Sequence, residues 1–300
     1  MFKKIFIIII IIFLILHIYT LRKTNSNIEI LQVDTPSKEK FNEIISYKLP
    51  VVITGCMDNW DEFIYWSPEY ILKKYPNFDI KISKGVLEQE NTNVNKLKIK
   101  DYIEWIKKAE EKNKSEYLYC NEDLNFIDKI GKKNILDDLS KIFDPFFKIT
   151  KQYAFWMGGK GTKTGIHYDT DYRNLLCQVY GTKKIYLWNP NQKKYMYPSN
   201  KYDTSAVLSK VNFWDKKDYI KYPEFNKSNY IEIILHPGQI LYIPPYWWHA
   251  VENINTNIAI SIRTENPISY LDKIITELPY YLLHKSGIYN NKDCTCCNQL

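Results

Sequence analysis

A continuous apolar run opens the chain, and a long region of short alternating stretches follows it. From Ile5 to Leu21 almost every residue is apolar, and pairs of basic residues flank the run. As a helix the run is about 26 Å long, close to the thickness of the hydrocarbon core of a bilayer. The pattern predicts a single N-terminal transmembrane helix within residues 1–22, followed by a polar linker over residues 23–30.

A cleaved signal peptide is the alternative to a membrane anchor. No small-residue cleavage site follows the apolar run, whose exit reads from His17 to Arg22. The sequence therefore favours an uncleaved signal anchor, a single-pass membrane location and membrane contact through residues 5–21. Basic residues are balanced on the two sides of the run, so both orientations across the membrane stay open.

Short strands bounded by Gly or Pro dominate residues 149–265. Pro237-Gly238, for example, turns into the apolar run Gln239–Ile243, which stops at Pro244-Pro245. This layout is typical of a β-sandwich or jelly roll, so the predicted fold is mainly β with flanking helices. The other segments are a mixed α/β lead-in over residues 31–148, C-terminal helices over residues 266–290 and a cysteine-rich tail over residues 291–300.

Helical signals lie on both sides of this β region. Ser67 and Pro68 are typical of an N-cap and a first turn, which predicts a helix that runs toward Lys74. A second helix is predicted over residues 101–112, and residues 267–284 return to helical spacing. We therefore expect helices before and after the strands of the core.

Metal-ligand chemistry is indicated by the sequence His167-Tyr168-Asp169. Side chains of a strand alternate between its faces, so His167 and Asp169 project to the same side. If a second strand brings His249 beside them, the three form a two-histidine, one-carboxylate triad, which leaves coordination positions open and is typical of non-heme Fe(II) oxygenases. A chance pairing is the alternative in a chain with 5 histidines, but the Gly and Pro turns around both segments favour a metal site.

The chain also resembles a known family from about residue 50 to about residue 262. The stretches that carry the resemblance are Pro50–Gly55 with Trp60, Trp66–Tyr70, Thr164–Asp169, Asn174–Gln178, Gly181–Lys183 and Pro237–His249. Their order and spacing are similar to the JmjC and cupin-like (cupin_8) Fe(II)- and 2-oxoglutarate-dependent oxygenases, and resemble the asparaginyl hydroxylase that inhibits hypoxia-inducible factor. The resemblance implies a double-stranded β-helix, or jelly-roll, core.

The resemblance also implies a metal ion and a co-substrate. In this family the residues that match His167, Asp169 and His249 hold Fe(II), and 2-oxoglutarate binds the metal through its 1-carboxylate and 2-oxo groups. Lys183 matches the lysine that forms an ion pair with the far carboxylate of the keto acid. The alternative for Lys183 is an ordinary solvated turn lysine beside Lys184.

The resemblance implies further pocket residues, and one position departs from the family pattern. Thr164 and Tyr119 match hydroxyl donors to the far carboxylate, and Asn174 matches a polar residue that lines the pocket. Arg263 departs from the family pattern, because relatives place an uncharged residue there. It shares a predicted strand face with Ser261, so our hypothesis is that Arg263 contacts an anionic group of the keto acid or of the substrate. A strand-end arginine in solvent is the alternative.

The function that the resemblance implies is that of an Fe(II)/2-oxoglutarate-dependent dioxygenase. A hydroxylase of a protein side chain, which uses O₂ and releases succinate and CO₂, agrees best with the pattern, and the expected substrate is a protein or a small molecule. The alternatives are a JmjC-type demethylase, a cupin metalloenzyme without 2-oxoglutarate chemistry, and a membrane-tethered binding domain whose metal site is silent.

The distribution of charge along the chain bears on nucleic-acid binding. The net charge of +7 comes from lysines scattered along the chain, whereas a nucleic-acid surface requires clustered basic residues. No nucleic acid is therefore expected among the partners.

In related enzymes a C-terminal helical segment often makes a dimer contact, so a homodimer through the C-terminal helices is a further expectation.

The six cysteines fall into two groups. Those in apolar stretches are predicted core residues, namely Cys56, Cys120 and Cys177. The three in the tail, Cys294, Cys296 and Cys297, lack a histidine at the spacing of a zinc site. In a lumen they would form disulfides, and in cytosol they would stay thiols or be acylated.

Overall fold

The computed structural model describes residues 2–23, 29–84, 94–111, 118–130, 150–171, 173–200, 203, 206–265 and 267–289. Within these residues the fold is mainly β, with strands in two sheets and helices around them. The cysteine-rich tail over residues 291–300 lies outside the described residues, as does most of the linker.

The elements before the predicted core are helices and short strands. In chain order they are α1 (Phe2–Arg22), β1 (Leu31–Asp34), α2 (Lys38–Ser46), β2 (Val51–Thr54), α3 (Asp61–Tyr65), α4 (Pro68–Lys74), β3 (Asp79–Lys84), β4 (Val94–Lys98), α5 (Ile99–Glu111), β5 (Leu118–Asp123) and α6 (Leu124–Ile130). The predicted helix start at Ser67 is confirmed, because the Ser67 hydroxyl accepts a hydrogen bond from the backbone N–H of Tyr70 at 3.2 Å. The helix predicted from residue 101 begins two residues earlier, at Ile99.

Strands dominate the rest of the described chain. They are β6 (Thr150–Gly158), β7 (Lys163–Asp169), β8 (Arg173–Tyr180), β9 (Lys183–Trp188), β10 (Ala206–Leu208), β11 (Tyr230–Leu235), β12 (Ile240–Ile243), β13 (Trp248–Asn253) and β14 (Asn257–Glu265). Helix α7 (Lys216–Lys221) and 3₁₀ turns at Pro190–Tyr195 and Pro223–Lys227 lie between them, and α8 (Pro267–Lys285) ends the described fold. The predicted helical spacing after residue 267 is thus confirmed.

The apolar run forms helix α1, but it does not supply a membrane span. Among the residues that the structure describes, no helix has both the length and the apolar character that crossing a bilayer requires. The apolar run Ile5–Leu21 is about 26 Å long as a helix, which is shorter than a hydrocarbon core of about 30 Å. The predicted transmembrane helix within residues 1–22 and the predicted membrane location are therefore wrong.

The strands form two sheets that resemble a jelly roll. The larger sheet has the order β1-β2-β12-β8-β14-β6-β5-β3-β4, and the smaller sheet has the order β10-β7-β13-β9-β11. From β7 to β9, and again from β12 to β14, successive strands alternate between the two sheets. This alternation stacks the sheets face to face, as in jelly rolls, and confirms the mainly β prediction.

Buried side chains fill both faces of the larger sheet. Helices α2, α4, α5 and α6 pack on its outer face, where β14 contributes Ile258, Ile260 and Ile262. Between the sheets lie residues such as Leu187 and Leu241. Because side chains alternate along a strand, the remaining positions of β14 face the smaller sheet. Every residue of β14 is buried, which fixes the strand between two packed layers.

Two further expectations concern cysteines and association. Cys120 and Cys177 are buried, as predicted, and Cys56 is half-buried. Helix α8 exposes apolar side chains that include Ile275 and Leu278. The expected homodimer through the C-terminal helices and the expected lack of nucleic-acid binding stay predictions.

Candidate metal centre

The strands that carry the predicted ligands are neighbours in the smaller sheet. Strand β7 holds His167 and Asp169, β13 holds His249, and the two strands pair antiparallel with His249 opposite His167. The centroids of the two imidazole rings lie 4.1 Å apart. One possible ligand atom from each of the three side chains lies within 4.8 Å of the others. The structure therefore brings the three predicted ligands together, and all three are buried.

A β-bulge shapes strand β7 beside the ligands. His249 pairs with His167, but two residues further along β13 Val251 pairs with Thr164, three residues back along β7. Strand β7 thus carries one extra residue, which defines a bulge. In a regular strand two side chains three positions apart face opposite sides, yet Thr164 and His167 line the same pocket. The bulge places a hydroxyl and a metal ligand from one strand in one pocket.

Backbone carbonyls orient both imidazoles. Nδ1 of His167 lies 2.9 Å from the carbonyl oxygen of Gly165, and Nδ1 of His249 lies 3.1 Å from that of Trp247. A carbonyl oxygen only accepts hydrogen bonds, so each Nδ1 donates and each Nε2 keeps a lone pair. These Nε2 atoms lie 3.9 and 3.7 Å from the carboxylate oxygens of Asp169. Burial, with a smaller effect from His167, lowers the pKa of His249 to about 4.

Asp169 is held as a carboxylate. Its Oδ2 accepts a hydrogen bond from the Asn174 side-chain amide at 2.5 Å, and its Oδ1 lies 3.9 Å from Nη2 of Arg263. Burial alone would raise the pKa of Asp169, but Arg263, the two imidazoles and Asn174 together lower it to about 2. The side chain is therefore an anionic candidate ligand at neutral pH.

The loop that precedes His249 is tied to the other ligand strand. The backbone N–H of Tyr246 donates to the carbonyl oxygen of Asp169 at 3.2 Å. Tyr246 has a φ of +67°, a left-handed conformation that is uncommon outside glycine. The indole N–H of Trp247 donates to the carbonyl oxygen of Lys48 at 3.2 Å. These contacts fix the position of the loop that leads into His249.

The donor set fits a divalent metal ion. Two imidazole lone pairs and one carboxylate converge from two paired strands, which leaves the remaining side of a bound ion open to other ligands. That side opens into a pocket. Its lining includes all eight predicted site residues, since Tyr119, Thr164, Asn174, Lys183 and Arg263 join the triad there.

Lys183 is a buried amine in this pocket. Only 1% of its surface is exposed, so it is not the solvated turn lysine of the alternative. Its Nζ donates to the Tyr119 hydroxyl at 3.1 Å and to Oδ1 of Asn253 at 3.0 Å. No carboxylate from the described part of the chain lies within 4.0 Å of Nζ, and burial lowers the pKa of Lys183 to about 7. The pocket therefore contains a buried amine whose partners in the described chain are uncharged.

Tyr119 links this amine to a second hydroxyl group. The Tyr119 side chain hydrogen-bonds to Thr164, and burial raises the pKa of the Tyr119 phenol, which keeps it protonated. The ring of Tyr119 packs on Trp156 at 5.7 Å between centroids. The indole N–H of Trp156 donates to Ser261 Oγ at 2.8 Å. Lys183, Tyr119 and Thr164 thus form one group of donors in a pocket whose walls are fixed.

Arg263 also lies in the pocket and not in solvent. Only 9% of its surface is exposed, and its Nε lies 3.4 Å from Oδ2 of Asp171. Its strand partner in β8 is Asn174, the residue that donates to Asp169. The guanidinium therefore lies between the carboxylates of Asp169 and Asp171.

Several residues of the site were missed by sequence reasoning. Asn253 accepts from Lys183, and its position four residues after His249, on the same face of β13, was an available signal. Trp156 and Asp171 belong to no motif. The carbonyl groups of Gly165 and Trp247 each lie two residues before a ligand histidine, a spacing that could have suggested their role.

Comparison with known proteins agrees with this architecture. Residues 36–262 match the cupin-like domain family. JmjC domain-containing protein D of Dictyostelium discoideum is 40% identical over 105 residues, which cover 35% of this chain and 23% of that protein. Jumonji C domain-containing protein 5 of Drosophila melanogaster is 27% identical over 253 residues, 82% of this chain and 62% of that protein. Lysine-specific demethylase 8 of Danio rerio is 26% identical over 244 residues, 79% of this chain and 58% of that protein.

The chain spans less than two thirds of the length of these curated relatives. JmjC proteins of this kind include oxygenases and demethylases that depend on Fe(II) and 2-oxoglutarate, and the His-Asp-His triad is present here. The match covers more than half of the chain and includes both strands that carry the predicted ligands. The chain therefore belongs to the family of cupin-like JmjC domains.

Proposed function

We propose that this protein is an Fe(II)- and 2-oxoglutarate-dependent oxygenase, and that it hydroxylates a side chain of a protein substrate. The observation that carries the proposal is Lys183, a buried amine without a carboxylate partner in the described chain, in the same pocket as a metal triad. A buried cation is costly unless an anion compensates it. A dicarboxylate that reaches from the triad to this amine would do so.

The ligand residues have separate tasks. His167, Asp169 and His249 would hold the metal ion, with the carbonyl groups behind each imidazole keeping Nε2 directed at it. When bound, Fe(II) supplies the activation of O₂ that couples decarboxylation of the keto acid to oxidation of the substrate, with release of succinate and CO₂. Apolar side chains of Leu176 and Ile243 line the same pocket and limit the entry of water.

Lys183, Tyr119 and Thr164 would bind the far carboxylate of 2-oxoglutarate. The amine supplies the charge, and the two hydroxyls supply hydrogen-bond donors. A bound carboxylate favours the protonated amine and would raise the pKa of Lys183 again. The group thus orients the keto acid so that its other end reaches the triad.

Asn174 and Arg263 would act at the metal end of the pocket. The Asn174 amide donates to Asp169, while its Oδ1 is buried without a hydrogen-bond partner and is open to a ligand donor. Arg263 has donors on both sides of its guanidinium, so it can contact an anionic group of the keto acid or of the substrate while it pairs with Asp169. An Arg263→Ala variant with unchanged affinity for both would remove this role.

Demethylation is the second candidate, because lysine-specific demethylase 8 of Danio rerio is among the relatives. The test uses protein purified without oxygen, loaded with Fe(II), and supplied with 2-oxoglutarate, O₂ and candidate peptides. We expect O₂-dependent succinate formation and a peptide mass increase of one oxygen. Release of formaldehyde with loss of a methyl group would favour the demethylase.

A matched pair of variants controls this test. Lys183 and Lys184 are adjacent, but Lys184 points to the other face of β9 and pairs with Glu232 at 3.0 Å. Lys183→Met should abolish succinate formation, whereas Lys184→Met should retain it. Equal turnover by the two variants, or no succinate from the wild-type protein, would refute the proposal.

A further inference from the structure

Helix α8 contacts the segment that directly follows the ligand Asp169. Glu277 accepts a hydrogen bond from the Thr170 hydroxyl at 3.0 Å, and Nζ of Lys273 lies 2.8 Å from Oδ1 of Asp171. Lys273 and Glu277 are one helical turn apart and share a face of α8. The helix therefore holds both residues after Asp169 by their side chains.

A row of alternating charges leads from this helix to the metal site. Nζ of Lys273 lies 3.2 Å from Glu265 and 2.8 Å from Asp171. Asp171 in turn pairs with Nε of Arg263 at 3.4 Å, and Nη2 of Arg263 lies 3.9 Å from Oδ1 of Asp169. Burial alone would lower the pKa of Lys273, but Asp171 and Glu265 raise it. The amine is thus a firmly charged end of the row.

We propose that Lys273 is a positioning residue for the metal ligand Asp169, acting through Asp171 and Arg263. The inference rests on the proposed function, since it assumes that Asp169 binds a metal ion. Lys273 does not line the pocket, so it has no direct contact with a metal ion or a keto acid there.

The physical argument is a competition for one guanidinium. Arg263 lies between two carboxylates, Asp169 and Asp171, and both are buried. Lys273 neutralises Asp171, which leaves Arg263 available to Asp169. Without Lys273, Asp171 would draw Arg263 toward itself and would also face the carboxyl group of Glu265, a repulsion that strengthens at low dielectric. The Asp169 carboxylate would then lose one of the groups that orient it.

The expected loss of metal affinity can be judged from residues that orient metal ligands in other proteins. Removing a residue that orients a metal ligand typically lowers metal affinity by about 10- to 100-fold. We therefore expect Lys273→Met, which keeps side-chain length but removes the charge, to raise the Kd for Co(II) by about 10-fold or more.

The experiment titrates the full chain with Co(II) and records the visible d–d bands of the bound ion. Lys273→Met should weaken binding and shift the bands, while Lys273→Arg should restore most of the affinity. Lys285→Met is the matched control, because Lys285 is exposed on the last turn of the same helix; it should bind like the wild type. Wild-type affinity and unchanged bands for Lys273→Met would overturn the inference.

Two further variants cover the case in which Lys273→Met does not fold. Asp171→Asn removes the carboxylate that competes for Arg263, so this variant should bind Co(II) about as tightly as the wild type; binding weakened by tenfold or more would count against the inference. In Lys273→Met/Asp171→Asn the affinity should return most of the way to the wild-type value, because the competitor that Lys273 neutralises is gone; a double variant that binds at least tenfold more weakly than the wild type would contradict that route. A wild-type protein that binds no Co(II) overturns the proposed function itself, whereas equal binding by the wild type and Lys273→Met overturns only this inference.

Discussion

Lys183→Met should separate binding of the keto acid from stability of the fold. Burial lowers the pKa of Lys183 from 10.5 to about 7. One pKa unit corresponds to about 1.4 kcal/mol, so the protonated amine costs the fold about 5 kcal/mol. Methionine removes this cost but leaves Tyr119 and Asn253 without a partner for one atom each, at about 1–3 kcal/mol apiece. The terms nearly cancel, and we expect the free energy of unfolding to change by less than about 3 kcal/mol.

Binding of 2-oxoglutarate should respond very differently. Loss of one partner of a buried charge pair costs about 2–5 kcal/mol, which corresponds to a Kd about 30- to 5,000-fold higher. Isothermal titration calorimetry on Mn(II)-loaded protein measures this Kd, and urea unfolding measures stability. Lys184→Met should match the wild type in both assays. A Kd for Lys183→Met within threefold of the wild-type value would refute the assignment of Lys183 to the keto acid.

The pH dependence of the same Kd is a second check on Lys183. In the proposed function the far carboxylate of 2-oxoglutarate binds the protonated amine, whose pKa in the free protein is about 7. Affinity should therefore be flat below pH 7 and fall by about tenfold per pH unit above it, until the higher pKa of the bound state is reached. The slope should vanish in Lys183→Met. A wild-type Kd that stays constant from pH 6 to pH 9 would contradict the lowered pKa.

Three further substitutions test the frame of the site. Gly181→Ala should lower the free energy of unfolding by more than about 1 kcal/mol in urea, because φ is +69° there and the added Cβ would lie 2.1 Å from the Thr256 carbonyl oxygen. Asn174→Ala removes the amide that donates to Asp169 and should weaken Co(II) binding by about 10- to 100-fold; unchanged binding would rule out that role. Ile260→Ala, at a fully buried position of β14, should cost about 2–5 kcal/mol in the same urea assay without change in the Co(II) bands.

Sequence patterns predicted the residues of the metal triad because each signal lies within one short segment. The alternation of β7 puts His167 and Asp169 on one side, and the Pro-bounded loop indicates the strand that delivers His249. The strand register that sets His249 opposite His167 is a long-range result of sheet packing, and periodicity carries no information about it. The resemblance to a known family supplied what periodicity could not.

The parts that sequence reasoning missed depend on packing between distant elements. Asn253 reaches Lys183 only because β13 and β9 are paired. Lys273 reaches Asp171 only because α8 docks against the end of β7, and no pattern in the helix specifies that contact. The membrane-anchor prediction for Ile5–Leu21 was wrong for another reason: apolar composition was clear, but the length was short of a full span.

The extra residue in β7 decides which of its side chains face the pocket. Toward its end the strand presents a metal ligand, and toward its start it presents Thr164 to the same cavity, because the count of residues slips by one in between. A strand of regular pleat could direct a side chain to the metal triad or to the proposed carboxylate site beside Lys183, but not to both. Deletion of Gly165 would therefore turn Thr164 away from the pocket while leaving every candidate site side chain in the sequence.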